Sequence, residues 1–120
     1  MCGILGFYGN DKASYLTALG MFAEQHRGQE SCGMAVSDGK VIRLRKNMGL
    51  VKAVFTDQAL KELPGNIAIG HVRYPTKGSA TEFNSQPHLV ETLAGPCLAL
   101  ASNGDIVNYA EIRSWLEHRR

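Results

Sequence analysis

A disulfide framework, a membrane-length apolar run and a strong charge of one sign are all missing from these 120 residues. The three cysteines, Cys2, Cys32 and Cys97, are odd in number and fit no disulfide spacing. The opening Met1–Gly9 stretch is apolar but short and has no positive flank, so it does not read as a secretory leader. Together these features predict a reducing, cytoplasmic setting. No CxxC or HxxxH spacing links Cys2, Cys32, Cys97, His26 or His71, so no metal is expected. No apolar run approaches the roughly 20 residues of a membrane helix. A net charge of +2, with scattered basic residues, gives no footing for nucleic acid or a membrane surface. Arg119-Arg120 reads as a solvated helix end. Repeats, low-complexity segments and linkers are absent. The hydrophobic content of 44% and charged content of 20% are those of one small globular domain.

Within that domain, Gly3 to Tyr8 reads as a short buried strand, with Gly9-Asn10-Asp11 as its exit turn. Asn10 or Asp11 is placed to cap a helix running to about Gln25. Tyr15, Leu16, Leu19 and Phe22 recur at helical spacing and predict its apolar face. Cys32 to Ser37 and Lys40 to Arg45 flank Asp38-Gly39, a dipeptide suited to a type I′ hairpin turn. A short helix is predicted from Asp57 to Leu63, stopped by Pro64-Gly65. Asn66 to Tyr74 forms the next strand and Pro75 to Ser85 a polar loop. His88 to Leu93 and Cys97 to Ala101 form a strand pair across Ala94-Gly95-Pro96. A helix from Asn108 to His118 follows, with Ile112, Trp115 and Leu116 on one face. Antiparallel pairs with helices before and after predict a layered α+β fold rather than a parallel βαβ sheet. Cys32 and Cys97, inside apolar runs, are expected to be buried thiols.

Four places could carry chemistry. Removal of Met1 before the small Cys2 would put a thiol and a free α-amine on one residue. An α-amine titrates at about 7.7–8.0, so it can exchange protons near neutral pH beside a good nucleophile. Ser102-Asn103-Gly104-Asp105 sits where a strand ends. The Asn103 side-chain N–H and the Gly104 backbone N–H could converge as an oxyanion hole, each donor worth about 3–4 kcal/mol of barrier. The same residues also suit an ordinary Asn-Gly turn. Arg73, ending an apolar strand, could grip a carboxylate through two parallel hydrogen bonds or sit in an ion pair. Gln25 to Ser31 is dense in polar groups, as a ligand-contacting loop or a solvated one would be.

Taken together and in this order, the motifs resemble the class II glutamine amidotransferases, whose glutaminase domain is an N-terminal nucleophile hydrolase. Cys2-Gly3-Ile4-Leu5-Gly6 looks like the family's start. Matches of four to seven residues resemble the amidophosphoribosyltransferase branch: His26-Arg27-Gly28-Gln29-Glu30-Ser31, Gly70-His71-Val72-Arg73-Tyr74, Asn84-Ser85-Gln86-Pro87 and Ser102 to Asn108. The glucosamine-6-phosphate synthase and asparagine synthetase branches differ after Arg27-Gly28, and the former also at Tyr74. The resemblance implies a four-layer αββα sandwich with antiparallel sheets, of which residues 1–120 would be the N-terminal portion. It implies Cys2 as nucleophile and Asn103 and Gly104 as oxyanion hole. It places Arg73 and Thr76 on the glutamine carboxylate and Arg27 behind Cys2. The implied activity is release of ammonia from glutamine for purine biosynthesis.

Pro75 and Ser102 depart from the family pattern, which usually has Ser and His there. The family also continues past a helix like Asn108–His118 to an acidic segment for the glutamine amine and to further strands of both sheets. A phosphoribosyltransferase domain follows in this branch, using magnesium with phosphoribosyl pyrophosphate, and the complete enzymes are expected to be homo-oligomers. This portion needs no cofactor of its own. The expectation is therefore that the 120 residues alone do not hydrolyse glutamine. Val72, Leu98 and Leu100 are expected to lie on strands lacking neighbours. The alternative reading is a non-catalytic fragment or homologue that keeps the motifs.

Overall fold

A computed structural model describes residues 1–75 and 80–119 of the chain. Four antiparallel strands form the main sheet in the order β1-β4-β2-β3, where β1 is Gly3–Tyr8, β2 Ser31–Ser37, β3 Ile42–Met48 and β4 Ile67–Arg73. A separate hairpin pairs β5, His88–Thr92, with β6, Gly95–Leu100. The helices are α1, Ala13–Ala23, α2, Val51–Val54, α3, Asp57–Lys61, and α4, Tyr109–Glu117. The α+β expectation with antiparallel sheets holds.

Side chains alternate across a strand, so the register sorts the sheet into two faces. Gly3, Leu5 and Phe7 align with Val72, Gly70 and Ala68, which in turn align with Cys32, Met34 and Val36. This face carries α1 and most of the buried core. Gly70 is required here: a Cβ would come within 2.5 Å of Met21 Sδ and 2.6 Å of Thr17 Cγ2. The opposite face carries Ile4, His71, Gly33 and Lys46 in one cross-strand row. Against it lies the segment leading into β5.

Several expectations need correction. Helix α1 buries Ala13, Ser14, Thr17, Ala18 and Met21, while Tyr15, Leu19 and Phe22 are exposed. Small side chains around Met21 let the helix backbone settle close to the sheet, and Tyr15, Leu19 and Phe22 are turned outward. No side chain caps Lys12 as N-cap, although Asn10 Oδ1 accepts from the Lys12 N–H at 2.8 Å. The β2–β3 connection is not a two-residue type I′ turn. Ser37 pairs with Ile42, and only Gly39 has positive φ, at 87°. Asp38 instead caps the loop by accepting from the N–H groups of Lys40 and Val41, both at 2.9 Å. These bonds and Arg43 hold its carboxyl well below the usual range. Helix α3 is shorter than expected and is capped by Thr56, whose hydroxyl accepts from Ala59 N–H. Cys97 is exposed, whereas Cys32 is fully buried, which pushes its thiol up to about 12. Val72 is fully buried, unlike Leu98 and Leu100, which are exposed. Ile112, Trp115 and Leu116 are exposed too, with the Arg119 guanidinium 4.1 Å from the Trp115 ring centre.

Candidate functional site

Pairing of β1 with β4 aligns Gly3 with Val72 and so sets Cys2 beside the end of β4. The Tyr74 backbone N–H donates to Cys2 Sγ at 3.4 Å, and the thiol lies 3.8 Å from the Tyr74 carbonyl oxygen. From the opposite direction comes the turn after β6. The Cys2 N–H donates to Asn103 Oδ1 at 3.2 Å, joining residues 101 positions apart. Engagement of Oδ1 fixes the orientation of the amide and leaves Asn103 Nδ2, a donor, directed elsewhere. Gly104 follows in the same exposed turn, with nothing within 4 Å of where a Cβ would stand.

The polar 25–31 loop supplies the third side. Gln25 organises it: its Nε2 donates to Gly28 O at 2.5 Å and its Oε1 accepts from Val51 N–H at 2.7 Å. Gly28 then lies flat on the end of β4, where a Cβ would come within 2.6 Å of the Val72 carbonyl oxygen. That close approach brings Arg27 Nε to the Cys2 carbonyl oxygen at 3.1 Å. Arg27 thus secures the backbone of Cys2 rather than its sulfur.

Arg73 is buried, and Nη1 forms an ion pair with Glu30 Oε1. The two side chains are only 8% and 9% exposed. Of the two readings open for Arg73, the ion pair is therefore present, although in the interior rather than at the surface. Thr76 lies outside the described residues. Cys2, Asn103, Gly104, Arg27 and Arg73 are thus drawn to one corner of the sheet from four separate stretches of chain.

Two residues given no role from the sequence also lie at this corner. His71 is fully buried, and its Nε2 lies 3.2 Å from Ser102 O. A carbonyl only accepts, so Nε2 carries the proton. Burial chiefly lowers the His71 pKa to about 4, the Ser102 contact opposing and Arg73 and His88 assisting. Gln86 Oε1 accepts from Ser102 N–H at 2.6 Å. Two clefts among the described residues, one along Leu44–Met48 with Glu82 and one on α4, contain none of these groups.

No family model matches the chain. Curated relatives do. Amidophosphoribosyltransferase of Synechocystis is 45% identical over 119 residues, which are 98% of this chain and 24% of the relative. That of Methanocaldococcus jannaschii is 48% identical over 119 residues, 98% of this chain and 25% of the relative. The chain thus spans about a quarter of the length of these relatives. Two solved structures superpose on 99% of this chain and 25% of their own. One is the glutamine phosphoribosylpyrophosphate amidotransferase from B. subtilis complexed with ADP and GMP, at 35% identity and a TM-score of 0.87. The other is described as the allosteric regulatory enzyme of purine biosynthesis, at 37% identity and a TM-score of 0.90.

Proposed function

Since the chain belongs to the class II glutamine amidotransferases, in the region matching the N-terminal quarter of amidophosphoribosyltransferases, we propose that it carries the nucleophile and oxyanion donors of a glutaminase site. The contact between Cys2 N and Asn103 Oδ1 carries this reading, because it unites the nucleophile with the turn that would receive negative charge.

With Met1 removed, the nitrogen at this position is an amine. One N–H continues to donate to Asn103, and the lone pair takes the thiol proton of Cys2. The sulfur attacks the glutamine amide carbon, forming the S–C bond as the carbonyl π pair moves onto oxygen. Asn103 Nδ2 and Gly104 N–H donate to that oxygen, a contribution of about 3–4 kcal/mol for each well-placed donor. Collapse breaks the C–N bond, and the Cys2 ammonium returns its proton to the departing nitrogen as ammonia forms. Water then cleaves the thioester, glutamate leaves and the thiol is restored. Arg73 and Thr76 bind the glutamine carboxylate, and Arg27 holds the Cys2 carbonyl against recoil. Ammonia would pass to a phosphoribosyl acceptor in purine biosynthesis. Magnesium and phosphoribosyl pyrophosphate are assigned no residue of this chain. Three free thiols suit a reducing compartment such as the cytoplasm, and no helix among the described residues is long and apolar enough to cross a membrane.

The test is Cys2→Ala in the full gene product, assayed for glutamate release and for synthesis from free ammonia. Glutamine hydrolysis should vanish while the ammonia-dependent reaction continues. Undiminished glutaminase activity would remove Cys2 from the chemistry. Mass spectrometry of the N-terminus on the same sample checks that Met1 has been removed, since an amide nitrogen cannot act as the base.

A further inference from the structure

Ser102 directly precedes the oxyanion donors, and it is held on both sides. Its N–H donates to Gln86 Oε1 at 2.6 Å, and its carbonyl accepts from His71 Nε2 at 3.2 Å. The second bond fixes the peptide plane that contains the Asn103 nitrogen, because the 102–103 peptide is rigid.

The supports for these two side chains come from one row of the sheet. His71 pairs with Gly33, and Gly33 pairs with Lys46. Lys46 Nζ donates to Ser85 O at 2.7 Å. At Gly33 the Gln86 carbonyl lies so close that a Cβ would collide with it. Lysine at the edge, glycine in the middle and histidine beyond therefore hold, in order, Ser85, Gln86 and Ser102. We propose that this row, Lys46–Gly33–His71, together with Gln86, is a cradle that sets the position of Asn103 and Gly104, with Gln86 and His71 as positioning residues for glutamine hydrolysis.

The proposal rests on the glutaminase reading above. It also gives a part to a buried histidine whose Nδ1 has no hydrogen-bond partner among the described residues. The Ser102 bond requires Nε2–H, and that tautomer leaves Nδ1 as an unprotonated acceptor. Asn103 gains its second anchor at Cys2 N, so a shift at Ser102 would move the donors relative to the sulfur without displacing the sulfur itself.

The experiment uses the full gene product and compares Gln86→Leu, Gln86→Glu and Lys46→Met with the parent and with Cys2→Ala. Leucine removes the acceptor for Ser102 N–H, and glutamate restores one of similar length. Gln86→Leu should lower kcat for glutamine about 10–100-fold, a displaced oxyanion donor being worth part of the full donor effect. KM should change less than about threefold, since an interaction made only in the transition state is lost. Gln86→Glu should recover most of the rate. Alkylation of Cys2 by iodoacetamide, which builds no oxyanion, should proceed at the parental rate in the Gln86 and Lys46 variants.

Parental kcat in Gln86→Leu would overturn the cradle, as would equal losses in the leucine and glutamate variants. If Cys2 alkylation and kcat fall together in Gln86→Leu, the fold itself has been damaged. Lys46→Met, on the edge strand, then decides. A kcat loss with normal alkylation supports the cradle, and no loss overturns it. A parent whose glutamate release survives Cys2→Ala would overturn the glutaminase reading and the cradle with it. An active, Cys2-dependent parent with an indifferent Gln86 overturns the cradle alone.

Discussion

Arg73 is asked to do two things at once, and a pair of substitutions separates them. Its ion pair with Glu30 is nearly sealed from solvent. Truncation by Arg73→Ala would strand a buried carboxylate, which costs about 3–5 kcal/mol of stability. If Arg73 also grips the glutamine carboxylate, KM should rise by about 30–1000-fold, equivalent to about 2–4 kcal/mol, with little change in kcat. Adding Glu30→Gln removes the stranded charge. The double variant should regain much of the denaturation midpoint while KM stays high. Recovered stability together with a normal KM would confine Arg73 to a structural part. At this scale the sequence was informative wherever chemistry is local. Cys2, Asn103 and Arg27 each stand in a short local pattern, and the structure brings the latter two into contact with the Cys2 backbone. Gln86 and His71 were not legible as site residues. Their bearing on Ser102 depends on a row that crosses three strands, which no linear spacing reveals.

The elements repeat that contrast. Strand β1 was readable because an apolar run ends cleanly at Gly9, whose φ of 84° suits glycine, but it is an edge strand with Ile4 and Tyr8 exposed rather than the buried strand expected. Helix α1 was readable as a helix but not in its orientation. Hydrophobic spacing weights large residues, whereas the distance between α1 and the sheet is set by small ones. Ala13, Ser14, Thr17 and Ala18 look half-polar in sequence, yet they are the contact surface. Helix α2 passed unnoticed because Leu50, its N-cap, makes no side-chain capping bond. The close helix–sheet approach can be tested at its tightest point. Gly70→Ala should cost about 1–3 kcal/mol by overpacking against Thr17 and Met21. Gly6→Ala is the control, since its Cβ would meet Ala68 O at an ordinary 3.4 Å. Chemical denaturation that finds the two variants equally stable would mean that α1 sits more loosely than its contacts imply.

For the molecule as a whole, helix α1, the four-stranded sheet and the β5–β6 segment form successive layers, and the proposed chemistry lies at the corner where β1, β4 and the turn after β6 meet. Each layer also gives the three thiols a different accessibility. Cys32 is sealed between sheet and helix, and burial holds it in the thiol form. Cys2 is half-buried, and Cys97 faces outward with its sulfur 3.4 Å from the Val90 carbonyl oxygen. A chromogenic disulfide reagent near neutral pH should therefore count two thiols in the native chain, the third emerging only in denaturant. Three fast thiols would mean that the helix–sheet layer opens readily. For a protein chemist the practical corollary concerns labelling. A fluorophore or spin probe meant for Cys2 will also decorate the hairpin, and Cys97→Ser is the substitution that leaves a single addressable sulfur.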